Sequence, residues 1–95
     1  MDDLDRQSEI FRALGDAARL RILLLLPRTD EDTPVSVQDI AEHLGMAQPN
    51  VSQHLRVLKA AGIVRCHKSS GYSYYQADLT EAEQALAHLA ERPGA

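Results

Sequence analysis

The chain has 95 residues, of which 44% are hydrophobic, and its 10 Lys and Arg against 14 Asp and Glu give a formal net charge of −4. This length allows one small domain, disfavours a large catalytic pocket, and makes a partner subunit that covers apolar surface plausible. The acidic total, with a sequence pI near 5.4, counts against nucleic-acid binding unless the positive charge is concentrated in one region.

Features of targeting and of redox chemistry are missing from the sequence. No cationic N-terminal stretch leads into an apolar segment, and the longest purely apolar run, residues 22–26, is too short to cross a bilayer. The single cysteine, Cys66, has no partner in the chain for a disulfide and no neighbour at zinc-ligand spacing. We therefore expect a cytoplasmic protein that contacts no membrane.

Apolar residues at helical spacing predict two helices in the first third of the chain. The first covers about 3–14, and the second covers 17–26 between Asp16, its expected N-cap, and Pro27. The apolar run at the end of the second helix predicts burial on nearly all sides. Residues 28–34 include three adjacent carboxylates, which we interpret as a solvated acidic loop and not as a cation site.

The middle of the chain predicts two short helices joined by a tight turn. Ser36 and Asp39 have the spacing of a capping box for a third helix, which Gly45 ends. Pro49 stands in the first turn of a fourth helix, which Gly62 ends. Two short helices joined by a turn of about four residues form a helix-turn-helix.

The hydrophobic pattern then changes to that of strands. Residues 63–67 and 72–76 are rich in Ile, Val and Tyr, and the segment 68–71 joins them, which predicts a β-hairpin. Thr80 and Glu83 have capping-box spacing for a last helix that runs to about residue 92. The order α-α-α-α-β-β-α is mainly α with a small hairpin, and it predicts a single winged helix-turn-helix domain over residues 1–95.

The charge of the chain is unevenly distributed along it. Residues 45–77 contain no Asp or Glu, and their four cations give +4, so the other residues together carry −8. A stretch of 33 residues without a carboxylate indicates a surface that approaches an anion. The DNA backbone, met by the fourth helix and the hairpin, is the anion that this pattern favours.

The fourth helix has an apolar face at Val51, Leu55 and Leu58 and a polar face opposite. Amide and hydroxyl groups near the start of a recognition helix can pair with base edges. The base-edge candidates are Gln48, Ser52 and Gln53, with Asn50 at the margin. Further along the helix, Arg56 and Lys59 are candidates for phosphate contact.

The hairpin supplies a second group of candidate contacts. Its cations and hydroxyls suit a wing that lies over phosphate or reaches into a minor groove. These residues are Arg65, Lys68, Ser69 and Ser70.

Three segments resemble the ArsR/SmtB family of bacterial winged-helix repressors: FRALGDAARLRI from residue 11, DIAEHL from residue 39 and QPNVSQHLRVLKAAGIV from residue 48. The resemblance runs from about residue 9 to residue 89. It implies a homodimer that packs through the first and last helices, about 3–14 and 80–92. It also implies repression by binding an inverted-repeat DNA operator, with release by an inducer, and it places the family's recognition-helix contacts on Gln48, Ser52 and Gln53.

The resemblance does not identify the inducer. Many members sense metals through a Cys-Val-Cys sequence at the start of the third helix, where this chain has Ser36 and Gln38, neither of which is a soft-metal ligand. Other members bind ions between paired last helices, and here His88 and Glu91 stand too early in the helix for that pattern. We therefore predict no metal and no cofactor, with an unidentified small molecule or ion as inducer. We also predict no enzymatic activity, because no nucleophile, base and orienter form a recognisable motif and the four histidines lie on separate elements.

Two alternatives stay open at this point. One is a metal-responsive repressor with a non-standard site near His88 and Glu91. The other is a winged helix that serves as a protein-interaction module, which would need an exposed apolar patch on the fourth helix.

Overall fold

Five helices and one hairpin follow one another in the computed structural model, which describes residues 3–28 and 35–91. The elements are α1 Asp3–Leu14, α2 Ala17–Leu25, α3 Val37–Leu44, α4 Gln48–Ala60, β1 Val64–Ser69, β2 Tyr72–Ala77 and α5 Thr80–Ala90. This order confirms the predicted mainly α fold with one hairpin. The acidic residues 30–32 of the predicted loop and the predicted helix end at residue 92 lie outside the described residues.

The core lies where the first four helices meet the base of the hairpin. Its largest fully buried side chains are Ile10, Ile22, Ile40, Val51, Leu55, Leu58 and Ile63. Three of them belong to α4, where they form the predicted apolar face. Because this face is fixed in the core, the polar face of α4 points away from it.

The helix ends follow the local signals in the sequence. The carboxylate of Asp16 accepts hydrogen bonds from two backbone N–H groups in the first turn of α2. Ser36 and Asp39 form both hydrogen bonds of a capping box at the start of α3. Gly45 ends α3 in the left-handed conformation with φ 65°, and Pro49 lies in the first turn of α4. The helix-turn-helix therefore begins and ends as predicted.

The hairpin is tighter than predicted. Its strands are antiparallel, and Ser69 pairs with Tyr72, so only Ser70 and Gly71 form the turn. Both have positive φ, 53° and 81°, which is the backbone geometry of a two-residue type I′ turn. The predicted four-residue loop is wrong because this turn lets the strands continue, and Lys68 becomes a strand residue.

The second strand also pairs with segments outside the hairpin. The backbone N–H of Tyr75 donates to the carbonyl of Val35 at 2.9 Å, and that of Ala77 donates to the carbonyl of Pro27 at 2.8 Å. These bonds join β2 to the residues that follow α2 and precede α3. The wing is thus fixed to the helix-turn-helix by its backbone.

The prediction that α2 is buried on nearly all sides is wrong. Ile22 is fully buried, but Leu20 is 47% exposed and Leu24 is 86% exposed. The helix packs against α1, α3 and α4, and its opposite side has no covering element among the described residues. None of the helices in residues 3–28 and 35–91 is long and apolar enough to cross a membrane.

The predicted capping box of Thr80 and Glu83 is also wrong. Leu79 occupies the N-cap position, and Thr80 is the first helical residue of α5. The side chain of Asp78 accepts the hydrogen bond from the Thr80 backbone N–H at 3.1 Å. An acid two residues earlier therefore takes the role that the Thr80 hydroxyl was expected to play.

Candidate nucleic-acid interface

The polar face of α4 is accessible in the folded chain. Five of the six predicted contact residues on this helix are exposed, and Ser52 is half-buried. The exposed five are Gln48, Asn50, Gln53, Arg56 and Lys59. The fold therefore presents amide groups near the start of the helix and cations near its end, on a surface that other molecules can reach.

These side chains project from two sides of α4. On the wing side, a shallow depression is lined by Ser52, Arg56 and Lys59 together with Tyr75 of β2. On the other side, Asn50 and Gln53 line a depression with residues of α2 and of the turn before α4. The candidate residues thus form a band across α4 and do not converge on one enclosed pocket.

The register of the hairpin divides the wing candidates between its two faces. Tyr75 lies beside α4 and pairs with Cys66 across the hairpin. Lys68 is two residues after Cys66 in the same strand, so it is on the same face of the hairpin as Tyr75. Arg65 and Ser69 lie on the opposite face, and Ser70 is in the turn. Lys68 is therefore the wing cation that shares a face with the recognition helix.

Arg65 has a partner within the protein. Its Nε donates to the Asp78 carboxylate at 2.8 Å. Hydrogen bonds from Thr80, together with the charge of Arg65, hold the pKa of Asp78 below its ordinary value. Arg65 therefore pairs with an anion at the base of the wing although 71% of its side chain is exposed, and Lys68 is exposed nearer the turn. The assignment of Arg65 to phosphate stays a prediction.

Cys66 lies in β1, where it is half-buried and pairs with Tyr75. Burial and the neighbouring Cys66 thiol raise the pKa of Tyr75. This phenol stays neutral at physiological pH, so the wall between α4 and the wing carries no negative charge from it.

Of the two residues proposed for a non-standard metal site, His88 has another side-chain contact. His88 lies with its Nδ1 2.9 Å from Nε2 of Gln7, which joins α5 to α1. Within residues 3–28 and 35–91, no three His, Cys, Asp or Glu side chains are grouped closely enough to hold a metal ion. The neighbour of His88 is thus the amide of Gln7, and the described residues give no support for a metal site formed by His88 and Glu91.

Comparison with known proteins identifies the family. Residues 16–65 match the model described as bacterial regulatory protein, arsR family. The chain belongs to the arsR family. The matched region contains α2, α3 and α4, and so includes every recognition-helix candidate, whereas Lys68, Ser69 and Ser70 lie beyond it.

Individual relatives agree with this membership. The chain is 40% identical over 75 residues to the HTH-type transcriptional regulator MJ1325 of Methanocaldococcus jannaschii, which covers 79% of this chain and 81% of the relative. It is 32% identical over 79 residues to the transcriptional repressor SdpR of Bacillus subtilis, with 83% of each chain covered. The predicted family resemblance is therefore confirmed.

A solved structure supports the fold of this arsR-family chain. The homodimeric winged helix-turn-helix DNA-binding domain of Mb0332 from Mycobacterium bovis superposes with a TM-score of 0.73 at 26% identity. The likeness covers 95% of this chain and 85% of that one. The winged helix-turn-helix prediction is confirmed by this likeness.

Sequence reasoning missed Asp78 as the partner of Arg65. A signal for it was available, since Asp78 is the first acid after the acid-free segment 45–77. Antiparallel pairing of the hairpin places Ala77 opposite Val64, which brings the next residue, Asp78, close to the base of β1. The exact strand ends were needed to make use of that signal.

Proposed function

We propose that this arsR-family chain is a transcriptional repressor that binds double-stranded operator DNA as a homodimer. The exposed polar face of α4, within a segment of 33 residues free of Asp and Glu, is the observation that carries this proposal. The relative SdpR of Bacillus subtilis is named a transcriptional repressor. We further propose that residues 1–95 form one domain that acts in the cytoplasm without enzymatic activity, with an unidentified small molecule or ion as inducer.

The contact roles follow from position along α4 and the wing. Gln48, Ser52 and Gln53 would read base edges in the major groove, with Asn50 at the margin. The phosphate contacts would come from Arg56, Lys59 and Lys68. Arg65 and Ser69 on the outer face of the wing, with Ser70 in its turn, would lie against the DNA backbone or in a minor groove.

Exposed leucines support a dimer through the first and last helices. Side chains on α1, α2 and α5 remain largely accessible in the single chain: Leu4 64%, Leu20 47%, Leu24 86%, Leu86 61% and Leu89 50%. Phe11, Leu14 and the α2 leucines border a groove with Ala82 and Leu86 of α5. A second copy of the chain would bury this apolar surface, and the interface would include α2 as well as α1 and α5.

Protein interaction through α4, the other open alternative, has little support in the geometry. The exposed large hydrophobic residue of α4 is Val57, at 39%, and Arg12, Arg19 and Gln53 lie in the depressions beside it, together with alanines and a methionine. A docking helix would instead present a continuous apolar stripe. Most of the exposed large hydrophobic residues lie on α1, α2 and α5, away from the recognition helix.

Selection of DNA from a random pool tests the repressor proposal. The purified protein is incubated with random-sequence duplexes, and the bound fraction is amplified and sequenced over several rounds. We expect an inverted repeat with half-sites about 10 base pairs apart, or a multiple of that spacing, because two-fold symmetry repeats the recognition helix. Recovery of sequences without any common motif would contradict sequence-specific binding.

A further inference from the structure

One guanidinium group connects both proposed dimer helices to the end of the recognition helix. Arg6, on α1, places its Nε 3.0 Å and its Nη2 2.9 Å from Oε2 of Glu81 in the first turn of α5. The same Nη2 donates to the carbonyl of Ala61 at 3.1 Å. Ala61 is the C-cap of α4. Three helices that are distant in sequence thus meet at one side chain.

The contact with Ala61 satisfies a helix end. The last carbonyls of a helix lack partners within the helix, and an arginine that donates to them also complements the helix dipole. Arg6 is half-buried, and Ala61 is buried. The charge of Arg6 is therefore directed to the C-terminal end of α4 and to Glu81, while its Nη1 also lies 3.5 Å from Oε2 of Glu9 on the same helix. Arg6 thus has its partners inside the helix junction.

The close approach of Arg6 depends on a glycine. Gly62 follows the C-cap with φ +77°, and a Cβ at this position would lie 2.6 Å from Nη2 of Arg6. Any larger residue here would displace the guanidinium from the Ala61 carbonyl. The glycine therefore serves the chain reversal after α4 and also leaves room for Arg6.

The position of this junction matters for DNA binding because it lies at the far end of α4. Gln48 begins the helix of 13 residues, which is about 20 Å long at 1.5 Å per residue. A small rotation of α4 at Ala61 is therefore amplified at the base-reading end. In a two-fold dimer, the spacing of the two recognition helices must match the spacing of the half-sites.

We propose that Arg6 is a positioning residue for operator recognition: through Glu81 and the Ala61 carbonyl it sets the orientation of α4 on the dimer helices α1 and α5. This inference rests on the proposed DNA-binding function of α4. Arg6 itself does not contact DNA. Its loss changes how well the two recognition helices fit two half-sites and leaves the number of phosphate contacts unchanged.

The test compares Arg6→Gln with Arg12→Gln. Arg12 is on the same helix, is exposed, and forms no side-chain hydrogen bond or ion pair with the described residues, so the second variant loses the same charge without the junction. Fluorescence anisotropy measures the affinity of each dimer for a 30-base-pair duplex selected by the wild type and for a random-sequence duplex. Sedimentation and thermal unfolding report assembly and folding.

We expect Arg6→Gln to bind the selected duplex roughly 3- to 30-fold more weakly than the wild type. Its affinity for the random duplex, its salt dependence and its dimeric state should stay close to those of Arg12→Gln. Arg6→Lys, which keeps the charge but cannot reach both partners with a planar fork, should fall between the two. Glu81→Gln should give a smaller loss in the same direction, which keeps the test available if Arg6→Gln does not fold.

Equal binding of the selected duplex by Arg6→Gln and Arg12→Gln would overturn the positioning role. So would a matched loss on both duplexes, a shallower salt dependence, which indicates a lost phosphate contact, or dissociation to monomers. If the wild type selects no common sequence, the proposed repressor function itself fails, and the selection experiment identifies that case before any variant is compared.

Discussion

At the scale of single residues, position along α4 separates two kinds of proposed DNA contact. Gln53 is an exposed amide near the start of the helix, and Arg56 is an exposed cation one turn later. An amide that pairs with a base edge carries sequence information, whereas a guanidinium on phosphate contributes affinity to every sequence. Removal of the two side chains should therefore have different effects on DNA binding.

Gln53→Ala should relax the preference at one position of each half-site, at a cost of about 1–3 kcal/mol for the preferred base. Arg56→Ala should weaken all duplexes alike and lower the salt slope by about one for each lost phosphate contact. Affinities measured on a set of single-base operator variants at several salt concentrations check both results. Equal loss of base preference in the two variants would refute the assignment.

Glycines provide a second prediction at this scale. Gly62 has φ +77°, a conformation that costs an L-residue about 1–2 kcal/mol. Because a Cβ there also displaces Arg6, Gly62→Ala should lower the free energy of unfolding by at least that amount. Gly15 is the matched control, because a Cβ there meets the carbonyls of Phe11 and Arg12 at ordinary distances of 3.4 and 3.6 Å. Urea denaturation of both variants should show a clear loss only for Gly62→Ala, and equal stabilities would contradict the prediction.

At the scale of elements, the capping acids give the fold a pH dependence. The Ser36 backbone N–H and hydroxyl lower the pKa of Asp39 below its ordinary value of 3.8. A carboxyl whose pKa is lower in the folded state contributes stability above its unfolded pKa and loses it as the pH falls through the folded pKa. The capping box at the start of α3 therefore weakens in acid.

The free energies of unfolding of the wild type and Asp39→Asn should converge as the pH falls through 3.8 and then through the lower pKa of Asp39 in the folded state. The wild type loses its advantage in this window because Asp39 becomes protonated, whereas the Asn side chain does not titrate. Urea denaturation across the pH range measures the difference. A difference that stays constant with pH would show that the ionised carboxylate contributes nothing to the capping box.

The elements predicted best from the sequence are those fixed by local chemistry. Asp16, Ser36, Gly45 and Pro49 each determine a helix end through the residues within one turn of them, so α2, α3 and α4 begin or end as predicted. The failures are of another kind. The four-residue hairpin loop was wrong because Ser70, a residue that rarely has positive φ, adopts 53°.

Contacts between distant elements explain the other errors. The leucine-rich sequence of α2 is typical of a buried helix. Only the packing of the neighbouring helices determines which of these leucines remain outside the core. Arg65 resembles a free cation in the sequence until the strand ends bring Asp78 to 2.8 Å. Likewise, nothing local links Arg6 to Glu81, which is 75 residues away.

At the scale of the whole molecule, the net charge of −4 is divided between two regions. The segment 45–77, which contains α4 and the hairpin, carries +4, and the remaining residues carry −8. An acidic remainder would be repelled by DNA and would favour approach through α4 and the wing. The apolar surface of α1, α2 and α5 belongs to the acidic part of the chain, where a second copy can cover it.

Leu24→Glu should dissociate the proposed dimer. Leu24 is 86% exposed in the single chain, so the substitution leaves the core intact. Two-fold symmetry removes a leucine from each side of the interface, each worth roughly 1.5–3 kcal/mol, so the dimer dissociation constant should rise by about 100-fold or more.

Sedimentation equilibrium measures this change, with Val57→Glu as the control. Val57 is 39% exposed on α4, outside the proposed interface, and its variant should remain dimeric while it binds DNA more weakly. A Leu24→Glu protein that stays dimeric at the same concentrations would place the subunit contact elsewhere.

The salt dependence of operator binding tests the central proposal, that the acid-free surface binds the DNA backbone, most directly. Three proposed phosphate-contact cations on each subunit, Arg56, Lys59 and Lys68, give six in a dimer, so log affinity for the selected duplex should fall with log salt at a slope of about −5. Fluorescence anisotropy titrations from about 50 to 300 mM salt measure this slope. A slope near zero would contradict DNA binding through α4 and the wing.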